Sequence, residues 1–174
     1  MEDPAPIVFY TNRNCPWAHR AHIALAEMGL CYKEVHIDYS VPRTREYLQI
    51  NPRGQVPTLV YGTQIIRESA IVAQFLADSV PSTHLTPRTG EPEDAVMRAQ
   101  MAYFVETYFA RVNKYYYPAI AAQTEVEADA LGVQFNDAVC AEMEPLLQDA
   151  GPFFGGSKQL TMAEVRQLHT VSVC

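Results

Sequence analysis

Apolar positions in the first eighty residues change period several times. Ile7 to Tyr10 is a continuous apolar run, long enough for a buried strand. Beyond a polar turn at residues 11–14, Trp17, Ala21, Ala24, Leu25 and Met28 recur at helical spacing, and Gly29 stands where a helix C-cap belongs. From residue 32 the period falls to two. Lys33, Val35 and Ile37 share one face, and Tyr32, Glu34 and His36 the other, which predicts a second strand. Residues 42–50 predict a short helix and Thr58 to Tyr61 a strand, with a hairpin partner across Gly62. Residues 68–79 predict a helix with Ile71, Val72, Phe75 and Leu76 inward. The order β-α-β-α-β-β-α makes residues 1–80 an α/β domain. Its first two strands, joined through a helix, should be parallel neighbours, and its last two antiparallel.

Residues 81–92 read as a linker by composition, after which the pattern becomes helical throughout residues 93–174. Residues 93–116 predict a long amphipathic helix with Met97, Met101, Phe104, Val105, Tyr108 and Val112 in its stripe. Thr124 with Glu127 is a capping box for a second long helix, with Leu131, Phe135, Ala138 and Leu146 inward and Pro145 kinking or ending it. Thr161 and Glu164 repeat the capping pattern, with Leu160 and Val165 placed for a hydrophobic staple.

The chain has 174 residues and a net charge of −7, which argues against a nucleic-acid partner, since phosphate binding needs clustered Lys and Arg. No apolar run is long enough to span a membrane, and the acidic N-terminus lacks the pattern of a secretory signal. A cytoplasmic location is expected. The cysteines Cys15, Cys31, Cys140 and Cys174 form no CxxC pair and no zinc-like spacing with histidine, so no metal is expected. In a reducing compartment they are thiols, with Cys31 and Cys140 read as small buried hydrophobes.

Cys15 is different because of Pro16. Proline is favoured at the first helical position, where its missing N–H would be unpaired anyway. Cys15 is then the N-cap, and its sulfur is expected to face the N–H groups of Trp17 and Ala18 at the positive end of the helix dipole. A free cysteine, with a pKa of about 8.5, is only a few per cent thiolate at neutral pH, and helix N-termini lower this into roughly the 3.5–7.5 range. Three residues on, where a dithiol oxidoreductase carries its second cysteine, stands Ala18. Any mixed disulfide on Cys15 therefore needs a thiol from solution to resolve it, which points to a small-molecule thiol as co-substrate.

"CPWA" at a strand–helix junction, "QVPTL" ahead of a strand, "ESAI" opening the next helix and the later "FFGG…TMAE" together resemble the glutathione transferases, from about residue 6 to about residue 165 and in the family's order. The cysteine of CPWA resembles the omega class. The resemblance implies a thioredoxin-like N-terminal domain followed by an incomplete helical C-terminal domain, and glutathione as co-substrate. It implies Cys15 as the catalytic residue and Pro16, Trp17, Arg43, Val56, Pro57, Glu68 and Ser69 as glutathione-binding residues. Val56-Pro57 would be a cis turn whose valine backbone pairs with the cysteinyl part of glutathione. Ser69, near a helix N-terminus, would receive the γ-glutamyl carboxylate, and Glu68 the γ-glutamyl ammonium. Arg43 would meet the glycyl carboxylate, while Arg53 reads as a solvated loop charge. His19 lies within reach of Cys15 along the helix yet reads equally as exposed, and Arg20 is open in the same way. Tyr108 would border a second-substrate pocket, with Tyr103 and residues 115–117 as further candidates.

Family members continue beyond the helix that Thr161 opens, so the helical half is expected to be truncated, with residues 166–174 an atypical tail from an unremoved intron. The implied activity is glutathione-dependent thiol transfer or dehydroascorbate-type reduction. Its partners would be glutathione, a small-molecule disulfide or electrophile, and a second copy of the chain in a homodimer, with no nucleic acid and no membrane. The alternative is a non-catalytic, glutathione-binding or regulatory truncated isoform.

Overall fold

A computed structural model describes residues 6–80, 84–88 and 90–167. Cys174, and the expected tail from residue 168 onward, lie outside the described residues. The chain divides into two compact units, Met1–Thr86 with Val165–Cys174, and Pro87–Glu164.

The first unit contains β1 (Ile7–Thr11), α1 (Pro16–Glu27), β2 (Lys33–His36), α2 (Arg45–Ile50), β3 (Thr58–Tyr61), β4 (Gln64–Arg67) and α3 (Ser69–Ser79). The sheet order is β2-β1-β3-β4. β1 runs parallel to β2, with Tyr10 opposite Val35, and antiparallel to β3, with Phe9 opposite Leu59. β3 and β4 form the antiparallel hairpin, with Leu59 opposite Ile66. This is the thioredoxin-like arrangement, with element order and strand directions as the sequence predicts.

Period-two burial sets the core. Ile7, Phe9 and Thr11 of β1 are buried while Val8 and Tyr10 are half-buried. Phe9 and Leu59, paired across the strands, are both fully buried, and each such side chain contributes roughly 1.5–3 kcal/mol by leaving water. α1 and α3 pack against each other. Their buried faces are rich in small residues: Ala18, Ala21 and Ala24 on α1, and Ser69, Ala73 and Ala77 on α3. Here one expectation is corrected. Ile71 is 58% exposed, and the inward stripe of α3 is Ser69, Val72, Ala73, Leu76 and Ala77. Bulk apolar residues mislead on this helix, because the close approach of α1 selects small side chains instead.

His22 of α1 contacts Thr11 through Nε2 at 2.9 Å and lies edge-on to Phe9 at 4.9 Å. Burial lowers the His22 pKa below the ordinary histidine value, against a smaller opposing pull from Glu34. The unfolded chain therefore binds the proton more readily than the fold does. Stability from this site is complete above the unfolded pKa of about 6.5 and is lost as pH falls below it toward the folded pKa. We expect the urea midpoint to drop between about pH 7.5 and about pH 5.5. In His22→Gln that drop should shrink, and an equal acid limb in the variant would exclude His22 as its source.

In the second unit α4 (Pro92–Thr107) passes through a π-helical turn at Tyr108–Val112 into α5 (Asn113–Ala121). The expected single helix over 93–116 is thus interrupted at its middle and runs five residues further, past Pro118, which has no N–H to offer the carbonyl of Lys114. Met101, Phe104, Val105, Tyr108 and Val112 are buried as the stripe predicts. α6 (Glu125–Ala138) starts at the predicted cap, where Thr124 Oγ1 accepts from the Glu127 N–H at 3.2 Å. It packs on α5, with Phe135 6.2 Å from the Tyr116 ring. Its inward residues Leu131, Phe135 and Ala138 are half-buried. The helix then loosens through a π turn at Val139–Met143 and a 3-10 turn at Glu144–Leu147, with Pro145 in the first turn of the latter.

Thr161 precedes α7 (Met162–Gln167) and is held by Glu164. The Glu164 carboxylate accepts from the Thr161 N–H (2.9 Å), the Thr161 hydroxyl (2.6 Å) and the Phe154 N–H (2.7 Å).

Candidate active site

The turn between β1 and α1 is fixed before the helix begins. Asn12 is buried. It donates from Nδ2 to the Ile37 carbonyl (2.8 Å) and accepts at Oδ1 from the Asn14 N–H (2.9 Å). Its own carbonyl accepts from the Cys15 N–H at 3.0 Å. Arg13 grips Glu34 of β2 through two bonds of 2.9 Å, and this holds the Glu34 carboxyl below the usual carboxylate range. Pro16 is the first helical residue and Cys15 the N-cap, in extended backbone with φ −86° and ψ 113°.

The sulfur does not go where the sequence suggests. No hydrogen bond from the Cys15 side chain caps α1, and the Ala18 N–H instead donates to the Cys15 carbonyl oxygen at 3.0 Å. A tight first turn has used that donor within the backbone. Tyr39, from the loop after β2, lines the same cavity as Cys15, and burial, followed by the influence of the Cys15 side chain, pushes the Tyr39 phenol well up from its ordinary value. Tyr39 therefore stays protonated. Cys15 is 8% exposed, in a small cluster with Ala18, Tyr47 and Val56, against which Trp17 and Ile37 pack.

A cavity of about 550 Å³ opens over this cluster, within the range of small-molecule sites. Its walls bring together Cys15, Trp17, Arg43, Val56 and Pro57 with Glu68 and Ser69. Of the residues the resemblance assigns to glutathione, only Pro16 does not line it. The Val56-Pro57 bond is cis. Tyr47 and Asn51 of the α2 segment hold that turn, since the Tyr47 hydroxyl and Asn51 Nδ2 both donate to the Gln55 carbonyl, and Asn51 Nδ2 also reaches Thr58 Oγ1 at 2.9 Å.

At the opposite wall Glu68 is the N-cap of α3 with φ 70°, a conformation that costs a non-glycine residue about 1–3 kcal/mol and clusters at functional sites. Its carboxylate accepts from Arg53 at 2.7 Å, so Arg53 is an exposed charge with a partner. Ser69 Oγ accepts from Arg20 Nη1 at 3.1 Å. Arg20 settles as buried, at 3% exposure, with its guanidinium 4.8 Å from the Trp17 ring centroid and a further bond to the Arg166 carbonyl. Arg166 in turn donates to Gln74 Oε1 (2.8 Å) and the Ala70 carbonyl (3.3 Å). His19 Nε2 is committed to the Arg13 carbonyl at 2.7 Å.

Arg43 lines the cavity but is tied to backbone. It donates to the carbonyls of Gly54 (3.0 Å), Asp38 (2.8 Å) and Val41 (3.0 Å). Gly54 has φ +60°, and a Cβ there would stand 3.0 Å from Arg43 Cγ, so both the turn and the arginine's approach require glycine. Tyr108 belongs to the second unit, where it is buried at 3% exposure, and Tyr103 and Tyr117 are exposed. Sequence reasoning missed Tyr39, Asn51 and Gln55. Nothing in "HIDYSVPR" signals that its tyrosine shares a cavity with a cysteine twenty-four positions earlier.

Among the described residues no helix is long and apolar enough to cross a membrane, and no group of three His, Cys, Asp or Glu is placed to hold a metal. Residues 14–79, which carry most of the cavity, match the glutathione S-transferase N-terminal domain family. A probable glutathione transferase of Aplysia californica is 30% identical over 73 residues, covering 42% of this chain and 78% of that protein. The chain belongs to the glutathione S-transferase family. Mouse glutathione S-transferase omega-2 is 27% identical to this family member over 151 residues, covering 86% of this chain and 58% of the mouse protein. The crystal structure of glutathione transferase Omega 2C from Trametes versicolor aligns with a TM-score of 0.78 and 26% identity, over 95% of this chain and 70% of that one. The chain spans about half the length of the curated relatives it matches.

Proposed function

We propose that this glutathione S-transferase family member is a glutathione-dependent thiol transferase with the Cys15 thiolate as nucleophile. One observation carries the reading: the N-cap cysteine Cys15 shares its cavity with a cis Val56-Pro57 turn and with Ser69 at the start of α3. Glutathione would lie across that cavity. Its cysteinyl backbone would pair with Val56 beside Pro57, and its γ-glutamyl carboxylate would meet Ser69 and the free N–H groups of α3. Arg20, behind Ser69, adds positive charge there. The γ-glutamyl ammonium would share the Glu68 carboxylate with Arg53. The indole of Trp17 would pack against the tripeptide.

The chemistry follows in two exchanges. The Cys15 thiolate attacks the glutathionyl sulfur of a mixed disulfide, forming Cys15–S–S–glutathione and releasing the other sulfur as a thiolate. A second glutathione thiolate then attacks that glutathionyl sulfur, forming glutathione disulfide and returning Cys15 as thiolate. In sum the mixed disulfide and one glutathione thiolate become glutathione disulfide and the freed thiolate, with Cys15 regenerated. Dehydroascorbate suits the same site: its two-electron reduction consumes two glutathiones, and the glutathione disulfide that results forms by the same second exchange. The mixture of omega and other classes among the relatives leaves the reaction class, rather than the exact substrate, as what the site supports.

The test is turnover of a glutathione–2-hydroxyethyl mixed disulfide by the full chain with glutathione present, alongside retention on immobilised glutathione. Saturable turnover with a glutathionylated Cys15 peptide by mass spectrometry is the expected result. Retention without turnover would instead establish a binding protein.

A further inference from the structure

Resting on the glutathione site of that reading, we propose that Arg166 is a positioning residue for the γ-glutamyl end of glutathione. It fixes Arg20 and Ser69 at one corner of the cavity while standing outside it. Arg20, Ser69 and Ala70 line the cavity and Arg166 does not. Arg166 belongs to the same compact unit as these residues, and the four close a ring of hydrogen bonds. Arg20 donates from Nη1 to Ser69 Oγ at 3.1 Å and from Nη2 to the Arg166 carbonyl. The Arg166 guanidinium returns to α3, donating from Nη2 to the Ala70 carbonyl (3.3 Å) and to Gln74 Oε1 (2.8 Å). Its side chain therefore sets the distance between its own carbonyl and α3, and with it the place where Arg20 meets Ser69. The sequence sets Arg166 apart as the first residue of an atypical tail, whereas this ring ties it to the cavity wall.

The ring decides which way the Ser69 hydroxyl faces. A guanidinium only donates, so Ser69 Oγ accepts from Arg20 and its own hydrogen is left for another acceptor. A carboxylate only accepts. An α-carboxylate entering beside α3 thus meets a hydroxyl already turned to donate, the first N–H groups of the helix, and the Arg20 charge, which at 3% exposure is little screened by water. Arranging these groups before the ligand arrives removes part of the entropy that binding would otherwise cost. Arg166 supplies that arrangement and touches no reacting atom.

The test compares glutathione with γ-aminobutyryl-cysteinylglycine, which is glutathione without the γ-glutamyl α-carboxylate. Trp17, the chain's single tryptophan, lines the cavity and reports binding by its fluorescence. Wild type should prefer glutathione. In the full chain, Arg166→Met should raise the dissociation constant for glutathione about tenfold, as loss of charge-assisted hydrogen bonds requires, and leave that for the analogue within about twofold. Arg166→Lys keeps one charged donor and should recover to within about threefold of wild type. Gln74→Ala removes one acceptor of the ring and leaves the Arg20 bonds in place. It should weaken glutathione about threefold and spare the analogue, which carries the test if Arg166→Met does not fold. A loosened fold would weaken both ligands together. Equal loss for both, no loss for glutathione, or a wild type indifferent to the α-carboxylate would overturn the role of Arg166. A wild type that binds neither ligand would overturn the glutathione site and this role with it. Whether Cys15 carries thiol transfer is decided separately, by turnover in Cys15→Ser.

Discussion

Cys15→Ser should reduce thiol transfer to the uncatalysed rate while the chain still binds immobilised glutathione. Both halves of that result have a physical cause. Serine cannot form or exchange a disulfide, and its hydroxyl is far too basic to be an anion at neutral pH, so the covalent intermediate is lost outright. The change in bulk is small, and the surrounding walls do not depend on the sulfur. The Val56-Pro57 turn is held by Tyr47 and Asn51, and Ser69 by Arg20. Cys31 and Cys140, exposed in the structure and not the buried hydrophobes their sequence context suggests, remain in the variant and serve as internal controls. They should alkylate equally in both proteins, and mass spectrometry should find no glutathione adduct in the peptide that carries residue 15. Turnover that survives the substitution would remove Cys15 from the mechanism.

Glu164→Ala should be the most damaging single change away from the cavity. One carboxylate receives three donors, and two of them belong to Thr161, which is 2% exposed. Alanine leaves the Thr161 and Phe154 N–H groups without that acceptor beside buried Phe154. Hydrogen bonds to a charged group are each worth about 1.5–3 kcal/mol. They are not additive at one node, so a loss of about 3 kcal/mol is expected. It should appear as a lower urea midpoint. Glu164→Gln keeps one acceptor oxygen and should fall between the two. A midpoint for Glu164→Ala within about 0.5 kcal/mol of wild type would show that the node is not structural.

The same two residues show where reading the chain succeeds. Thr161 and Glu164 announce their pairing because a capping box is local, with both partners on one helical turn. Cys15 followed by Pro16 announces a helix start for the same reason. Strand periods and the hairpin across Gly62 were likewise legible, since burial on one face of a sheet imposes alternation on neighbours in sequence. Features that depend on packing or on the closure of a turn are harder to read. The stripe of α3 was placed on Ile71 because the proximity of α1, which favours Ala73 and Ala77, is not written in α3 itself. The Cys15 sulfur was assigned to helix N–H groups because the competing bond from Ala18 to its own carbonyl depends on how tightly the first turn closes.

By itself the sequence determined the order and kind of elements in the first unit, the cap position of Cys15, and most of the residues that line one cavity. These follow from periodicity and from proline and capping chemistry, which act over a few residues. Only the tertiary structure decided that Tyr39 joins Cys15 in one cavity, that Arg43 lies over the Tyr39 ring, that Arg20 is buried behind Ser69, and that Arg53 pairs with Glu68. Each joins loops or helices distant in the chain, and the direction of a side chain on a loop is set by what folding brings against it.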